Sequence, residues 1–210
     1  MKRLIILFFA IAAITIGYAK KVKLTIDGTV SPSQTKLYLI INEDTANAQL
    51  LPIVDGKFST KLKVESNAFI RLNDSKRWPE YGAFVLIPDS KHITIDLNTG
   101  AIKGSPMSQE LQVTCKGIRD SSPEGFHIDV FTDDPEAWRQ AREQGNAIRN
   151  KMLEQQRVIA RGVLADDKTS IFSVWIAYCF PNLYFGEELE SFIKYKNPSW
   201  ANHPLLLKKK

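Results

Sequence analysis

Residues 50–64 read Leu-Leu-Pro-Ile-Val-Asp-Gly-Lys-Phe-Ser-Thr-Lys-Leu-Lys-Val, and this stretch decides the fold class. After Asp55-Gly56, the residues Phe58, Thr60, Leu62 and Val64 alternate with Lys57, Ser59, Lys61 and Lys63. Side chains on a strand point to opposite faces in turn, so this period of two predicts a strand with one packed face and one wet face. Asp-Gly suits a type I′ turn, in which both central residues need positive φ. The run Leu50–Val54 is therefore predicted as the partner strand of a hairpin, with Pro52 at an edge or a bulge. The lysine row must face water, where it either guards an edge against aggregation or binds anions.

The same period extends outward. Upstream, Val22, Leu24, Ile26, Gly28 and Val30 alternate with Lys23, Thr25, Asp27 and Thr29, and Leu37–Ile41 is a further strand. Downstream, strands are predicted at Ala68–Leu72, Ala83–Ile87, His92–Leu97 and Ala101–Lys103. Turn signals separate them at Asn73-Asp74-Ser75, Pro88-Asp89-Ser90 and Asn98-Thr99-Gly100. Seven to eight short strands at this spacing imply an antiparallel β-sandwich or open barrel over residues 20–104.

After Gly104 the period changes to that of a helix. Ser105-Pro106 is a helix start, with Ser as N-cap and Pro in the first turn. Met107, Leu111, Thr114 and Ile118 then share a face. A loop is predicted over Asp120–Thr132. Asp133-Asp134-Pro135-Glu136 opens a long helix with acids at its positive end. Trp138, Ala141, Gly145, Ile148, Met152, Gln155 and Ile159 form its apolar seam, and Arg139, Arg142, Arg149, Lys151, Arg157 and Arg161 its outer stripe. Asp166-Asp167 is read as the start of a buried helix over Ile171–Phe180. Gly186–Tyr195 is a further helix with Leu189, Phe192 and Ile193 inward, and Ser199 begins another. The fold class is α+β, with the strands followed by a helical region at 105–210.

The first nineteen residues read as a secretory signal peptide. Lys2 and Arg3 precede an apolar run from Leu4 to Ile16, and Gly17-Tyr18-Ala19 places small residues where a signal peptidase reads. The run is shorter than the roughly 20 residues of a spanning helix. The expectation is a soluble exported protein, located in the periplasm, with no transmembrane segment after cleavage. The whole chain has 28 basic and 23 acidic residues, and the leader carries two of the basic ones. Of the remaining excess of three, Lys208-Lys209-Lys210 account for all, so the basic pI is a weak argument for a nucleic-acid partner, and none is expected.

The segment Leu24–Leu111 resembles a domain of unknown function found N-terminal to the thioredoxin-like domain of exported thiol-disulfide oxidoreductases of Gram-negative bacteria. The resemblance rests on Ile26-Asp27-Gly28-Thr29-Val30, Asp55-Gly56-Lys57-Phe58, Phe84–Ile87 with Pro88, Ile93-Thr94-Ile95-Asp96 and Lys103-Gly104-Ser105, in that order. Ser170–Tyr178, Glu187-Glu188-Leu189-Glu190 and Asn197-Pro198-Ser199 are similar to the helical connector of the same proteins. In that family a thioredoxin fold with Cys-x-x-Cys follows. This sequence contains no such motif, so no catalytic residue carries over.

The residues themselves offer few sites. Cys115 and Cys179 belong to no Cys-x-x-Cys and are either a structural disulfide or two buried thiols. His92, His127 and His203 show no metal-ligand spacing. Asp27, Asp96 and Glu80 are acids with no partner that sequence spacing assigns. Asn73-Asp74-Ser75 is read as a turn rather than a glycosylation site, and Asp44-Thr45-Ala46 as a chance match to an O-glycan acceptor. The loop 75–81 carries Arg77, Trp78 and Tyr81, which either grip a ligand or fold onto the sandwich edge. No catalytic, cofactor or metal site is expected. Two functions remain. One is a non-catalytic periplasmic module that binds an envelope protein or ligand. The other is the N-terminal accessory part of an oxidoreductase whose thioredoxin-like domain lies outside this chain.

Overall fold

The computed structural model describes residues 20–77, 84–121, 134–167, 170–195, 200 and 202–207. Residues 1–19, read from the sequence as a signal peptide, Trp78, Glu80, Tyr81, most of the 120–132 loop with His127, Ser199 and the lysines at 208–210 lie outside the described residues, as do the side chains of Phe192 and Ile193.

The chain is α+β. Eight strands come first: β1 (Lys21–Thr29), β2 (Leu37–Ile41), β3 (Gln49–Leu51), β4 (Lys57–Glu65), β5 (Ile70–Asn73), β6 (Phe84–Leu86), β7 (His92–Asp96) and β8 (Ala101–Lys103). Helices follow: α1 (Pro106–Asp120), α2 (Pro135–Ala165), α3 (Phe172–Cys179), α4 (Gly186–Tyr195) and the single turn α5 (Pro204–Leu207). The strands form two four-stranded sheets, sheet A in the order β4-β1-β7-β8 and sheet B in the order β3-β2-β5-β6.

The Asp55-Gly56 turn forms as its residues dictate. Asp55 has φ 51° and Gly56 φ 70°, and Val54 and Lys57 exchange both backbone hydrogen bonds at 2.9 Å. The strands it joins do not make one hairpin, however. β3 pairs with β2 and β4 pairs with β1, so the chain changes sheets between Leu51 and Lys57. Pro52 lacks the N–H that a continued ladder would need, and the pairing stops there. Sheet A also departs from the antiparallel expectation, because β1 and β7 run parallel, with Ile26 opposite Ile93 and Gly28 opposite Ile95.

The alternation of β1 and β4 falls as the sequence predicts. Leu24, Ile26, Phe58 and Val64 are buried, and Lys23, Ser59, Lys61 and Lys63 are exposed. The inward residues meet Leu37, Leu39, Ile70, Leu72 and Leu86 of sheet B in one apolar core. Sheet B is buried on its other face too at Ile40, Arg71 and the β5–β6 end, while Leu50 on β3 is exposed. Phe69, Val85 and Ile87 belong to a second core with Leu111, Cys115, Ile118, Phe172, Trp175 and Ile176 from the helices. Phe69 stacks on Trp175 with ring centroids 5.3 Å apart. The order of layers is therefore sheet A, sheet B, helices, and the near-continuous apolar reading of Leu37–Ile41 follows from burial on both sides.

Ser105 caps α1, its hydroxyl accepting from the Ser108 N–H, with Pro106 in the first turn. The Ile87 N–H donates to Ser108 Oγ at 2.8 Å, which ties the helix to the end of β6. The buried face of α1 runs through Ser108, Leu111, Cys115 and Ile118, and Thr114 lies at its margin. Along α2 the packed stripe overlaps the predicted seam only in part, at Gly145, which is buried, and Ile159. Leu153, Ile159, Ala160, Val163 and Leu164 join the core, whereas Trp138 is 51% and Ile148 40% exposed and Gln155 is exposed. Asp166 closes α2, its N–H donating to the Gly162 carbonyl, rather than opening α3, which begins at Phe172 without a side-chain cap. No helix among the described residues is long and apolar enough to cross a membrane.

Candidate binding face

The helices cover the β5–β6 part of sheet B's outer face, Leu50 on β3 is 56% exposed there, and the outer face of sheet A is exposed among the described residues. Its residues are fixed by register. Asp27 on β1 stands between Ser59 on β4 and Thr94 on β7, Thr25 between Lys61 and His92, and Thr29 between Lys57 and Asp96. Each is the outward partner of an inward apolar neighbour, so the pleat that buries Leu24 and Ile26 presents this polar set.

Asp27 is its electrostatic centre. His92 Nε2 lies 2.6 Å from Asp27 Oδ2, with side chains 59% and 40% exposed. The Ser59 hydroxyl, then His92 and the charge of Lys61, hold the Asp27 carboxyl below its ordinary range. Ser, Asp and His are thus adjacent, but the carboxylate is in the middle. A serine nucleophile needs the imidazole beside its hydroxyl to take the proton. Here Ser59 donates to the carboxylate, so nothing activates it. The Asp96 carboxyl is held down at about 2, because the Asn98 N–H and the Thr99 and Thr29 hydroxyls donate to it. Those bonds span 2.9–3.0 Å and lock the 96–100 turn, which occupies the acceptors.

Beside Asp27 a groove of about 560 Å³ opens, lined by Asp27, Lys57, Phe58 and Ser59 and by Pro52 and Val54 where the chain crosses between sheets. Lys23, Lys57, Lys61, Lys63 and Lys103 are exposed on the same face, and none has an ion-pair partner among the described residues. The arrangement can donate and accept hydrogen bonds and attract an anion. It contains no activated nucleophile.

No protein-family model, curated protein or solved structure matches the chain.

The other sequence-predicted residues lie apart from this face. Cys115 is buried, which pushes its thiol up to about 11, and Cys179 is half-buried; the two form no disulfide. A thiol held protonated is a poor nucleophile, so Cys115 is not set up for exchange. Arg77 is exposed and offers its carbonyl to Arg71 Nη1 at 3.1 Å, while Trp78 and Tyr81 are outside the described residues. No group of three or more His, Cys, Asp or Glu side chains among the described residues could hold a metal ion.

Two arrangements escaped the sequence reading. Arg71 is 1% exposed and forks onto Glu43, with Nε to Oε1 at 2.7 Å and Nη2 to Oε2 at 2.8 Å. Glu43 reaches it from a left-handed backbone at φ 56°, beside Asn42 at φ 49°. The signal was a lone charge within Phe69-Ile70-Arg71-Leu72. His203 is 2% exposed, and its Nε2 lies 3.0 Å from the Asn67 carbonyl while Nδ1 accepts from the Leu205 N–H at 3.2 Å. That pair of bonds requires the neutral ring, and burial lowers its pKa. Both are structural: the first holds the 74–77 loop, the second docks α5 onto the β4–β5 connection.

Proposed function

We propose that this chain is a non-catalytic module of the bacterial cell envelope, exported by its leader, that binds through the outer face of sheet A. One observation carries the reading. The exposed outer face of sheet A concentrates an ordered set of hydrogen-bonding and cationic side chains around Asp27, with the carboxylate placed where a triad would need its imidazole. The resemblance of Leu24–Leu111 to the domain that accompanies exported thioredoxin-like enzymes supports an accessory role in the same compartment. The buried thiol of Cys115 argues against turnover by this chain itself.

A photo-reactive residue incorporated in living cells tests this. Placed at Thr94 on the open face, it is expected to yield a discrete cross-linked species. Placed at Val113, 71% exposed on α1, it is expected to yield none. Cross-linking at Val113 with silence at Thr94 would overturn the assignment.

A further inference from the structure

The outer strands of a sheet carry unpaired backbone groups, and proteins guard them by shortness, bulges, proline or inward-pointing charge. Sheet A ends in β4 and β8, and sheet B in β3 and β6. Among the described residues β3, β6 and β8 have three residues each, which leaves little edge to pair. β4 has nine. Its register with β1 runs through nine consecutive pairs without a bulge. It contains no proline, and its inward residues Phe58, Thr60, Leu62 and Val64 carry no charge.

The register says which groups on β4 are open. β1 bonds to β7 through its odd-numbered residues: the Thr25 N–H donates to the Lys91 carbonyl and the Leu97 N–H to the Thr29 carbonyl, both at 2.9 Å. Successive residues of a strand turn their backbone groups to opposite sides. The even-numbered residues of β1 therefore bond to the even-numbered residues of β4, and the odd-numbered residues of β4 face the free edge. Lys57 is closed there by Val54, with two bonds of 2.9 Å. Pro52, which would come opposite Ser59 in a continued hairpin, has no N–H to extend that ladder. The N–H and C=O groups of Ser59, Lys61 and Lys63 have no backbone partner among the described residues. Beneath them Leu62 is half-buried whereas Thr60 and Val64 are buried, so the apolar core is incompletely covered at this point of the edge.

We propose that this edge accepts an extended segment of a partner protein as a fifth strand of sheet A, antiparallel to β4. The antiparallel direction continues the Val54–Lys57 bridge. In that pairing the guest residues opposite Ser59, Lys61 and Lys63 point outward, and those between them point inward. The inward ones meet Leu62 and are apolar. The outward ones lie beside Lys61 and Lys63 and are acidic, because opposite charges across a strand pair attract and like charges repel. The same lysine row excludes a second copy of this chain, since two β4 edges brought together would set lysine against lysine. The lysines thus guard the edge against self-association and admit an acidic guest. The partner segment matches Ser59–Lys63 in length and alternates acidic with apolar residues. This inference goes beyond the proposed binding face, because it uses the backbone edge of β4 rather than the outward side chains around Asp27.

The probe is the acetylated and amidated peptide Glu-Val-Glu-Val-Glu-Val-Glu with a fluorophore, titrated with purified protein at low ionic strength and read by anisotropy. It should bind, and Lys-Val-Lys-Val-Lys-Val-Lys should not. Methylating the Glu amide nitrogens, which face β4 in this pairing, should abolish binding. Methylating the Val nitrogens, which face away, should leave the affinity within about threefold. Lys61→Gln with Lys63→Gln should weaken binding about tenfold, each exposed cross-strand charge pair contributing up to about fivefold. Lys36→Gln with Lys151→Gln should bind as the parent does. No binding of the acidic peptide, equal effects of the two methylated peptides, or equal loss in the two lysine pairs would overturn the proposal. A dimer that the peptide dissociates would place a second copy on the edge and overturn it as well. If Thr94 cross-links in cells while the peptide does not bind, strand addition fails and the binding face stands.

Discussion

Gly28→Ala should be one of the most damaging small substitutions in the sandwich. Gly28 sits mid-strand on β1, between Phe58 and Ile95 in the two flanking strands. A Cβ built there would lie 2.4 and 2.5 Å from two atoms of the Phe58 ring and 2.6 Å from the Ile95 carbonyl oxygen. The ring is 4% exposed, and the carbonyl, which cannot move aside as a side chain can, belongs to the strand paired with β1. Overpacking of a filled core costs about 1–3 kcal/mol, and this geometry argues for the upper end. Replacing glycine in a strand returns about 0.5–1 kcal/mol of chain entropy, which leaves a net cost of about 2 kcal/mol. With a urea slope of about 2 kcal/mol per molar, the midpoint should fall by about 1 M. Phe58→Ala alone should cost about 3–5 kcal/mol. Because it removes two of the three close contacts, the double variant should cost about 1–2 kcal/mol less than the sum. A neutral Gly28→Ala, or strict additivity of the pair, would refute the packing described for β1 and β4.

Gly104→Ala should destabilise more than Gly56→Ala, since both have positive φ but the Gly104 Cβ would lie 2.4 Å from the His92 carbonyl oxygen against 3.5 Å for Gly56 and Val30; thermal melts of the two variants decide the order. The His203 pKa is lowered by burial, so the unfolded chain takes up a proton that the native ring refuses, and stability present above about pH 6.5 should decline as pH falls below it. Urea midpoints between pH 8 and 5.5 should show that decline in the parent and a flatter profile in His203→Gln. Arg71→Met strands the Glu43 carboxylate in a buried site and should cost about 3–5 kcal/mol in the same urea assay, whereas a cost below about 1 kcal/mol would mean that the pair is solvated.

The features legible in the sequence were local. Period-two alternation located the inward and outward residues of β1 and β4, and Asp55-Gly56 and Ser105-Pro106 formed the turn and the cap that their chemistry demands. What escaped was set by partners distant in the chain. The change of sheet at Pro52 leaves no mark beyond one missing N–H, because either sheet would accept the same apolar residues. The parallel pairing of β1 with β7 brings His92 to Asp27 across 65 positions, and no spacing rule anticipates that. The seam along α2 was placed only in part: Gly145 and Ile159 pack as expected, but Trp138 and Ile148 are exposed while Ala160 and Val163 carry the contact, a choice made by the neighbouring α1 and α3 rather than by hydropathy. The candidate site was half legible: its lysine row was evident on β4, but the opposition of Lys23 and Lys63 needed the register.

The binding face depends on one arrangement of layers, with sheet B between sheet A and the helices and the outer face of sheet A open. Thiol labelling of single-cysteine variants, in a background with Cys115 and Cys179 changed to Ser, measures it directly. Thr94→Cys on the outer face of sheet A should react at close to the rate of an unstructured peptide. Ile40→Cys on β2, at a position 0% exposed, should react only on unfolding, slower by orders of magnitude. Rapid labelling at residue 40 together with protection at residue 94 would contradict the layer order, and with it the assignment of the binding face.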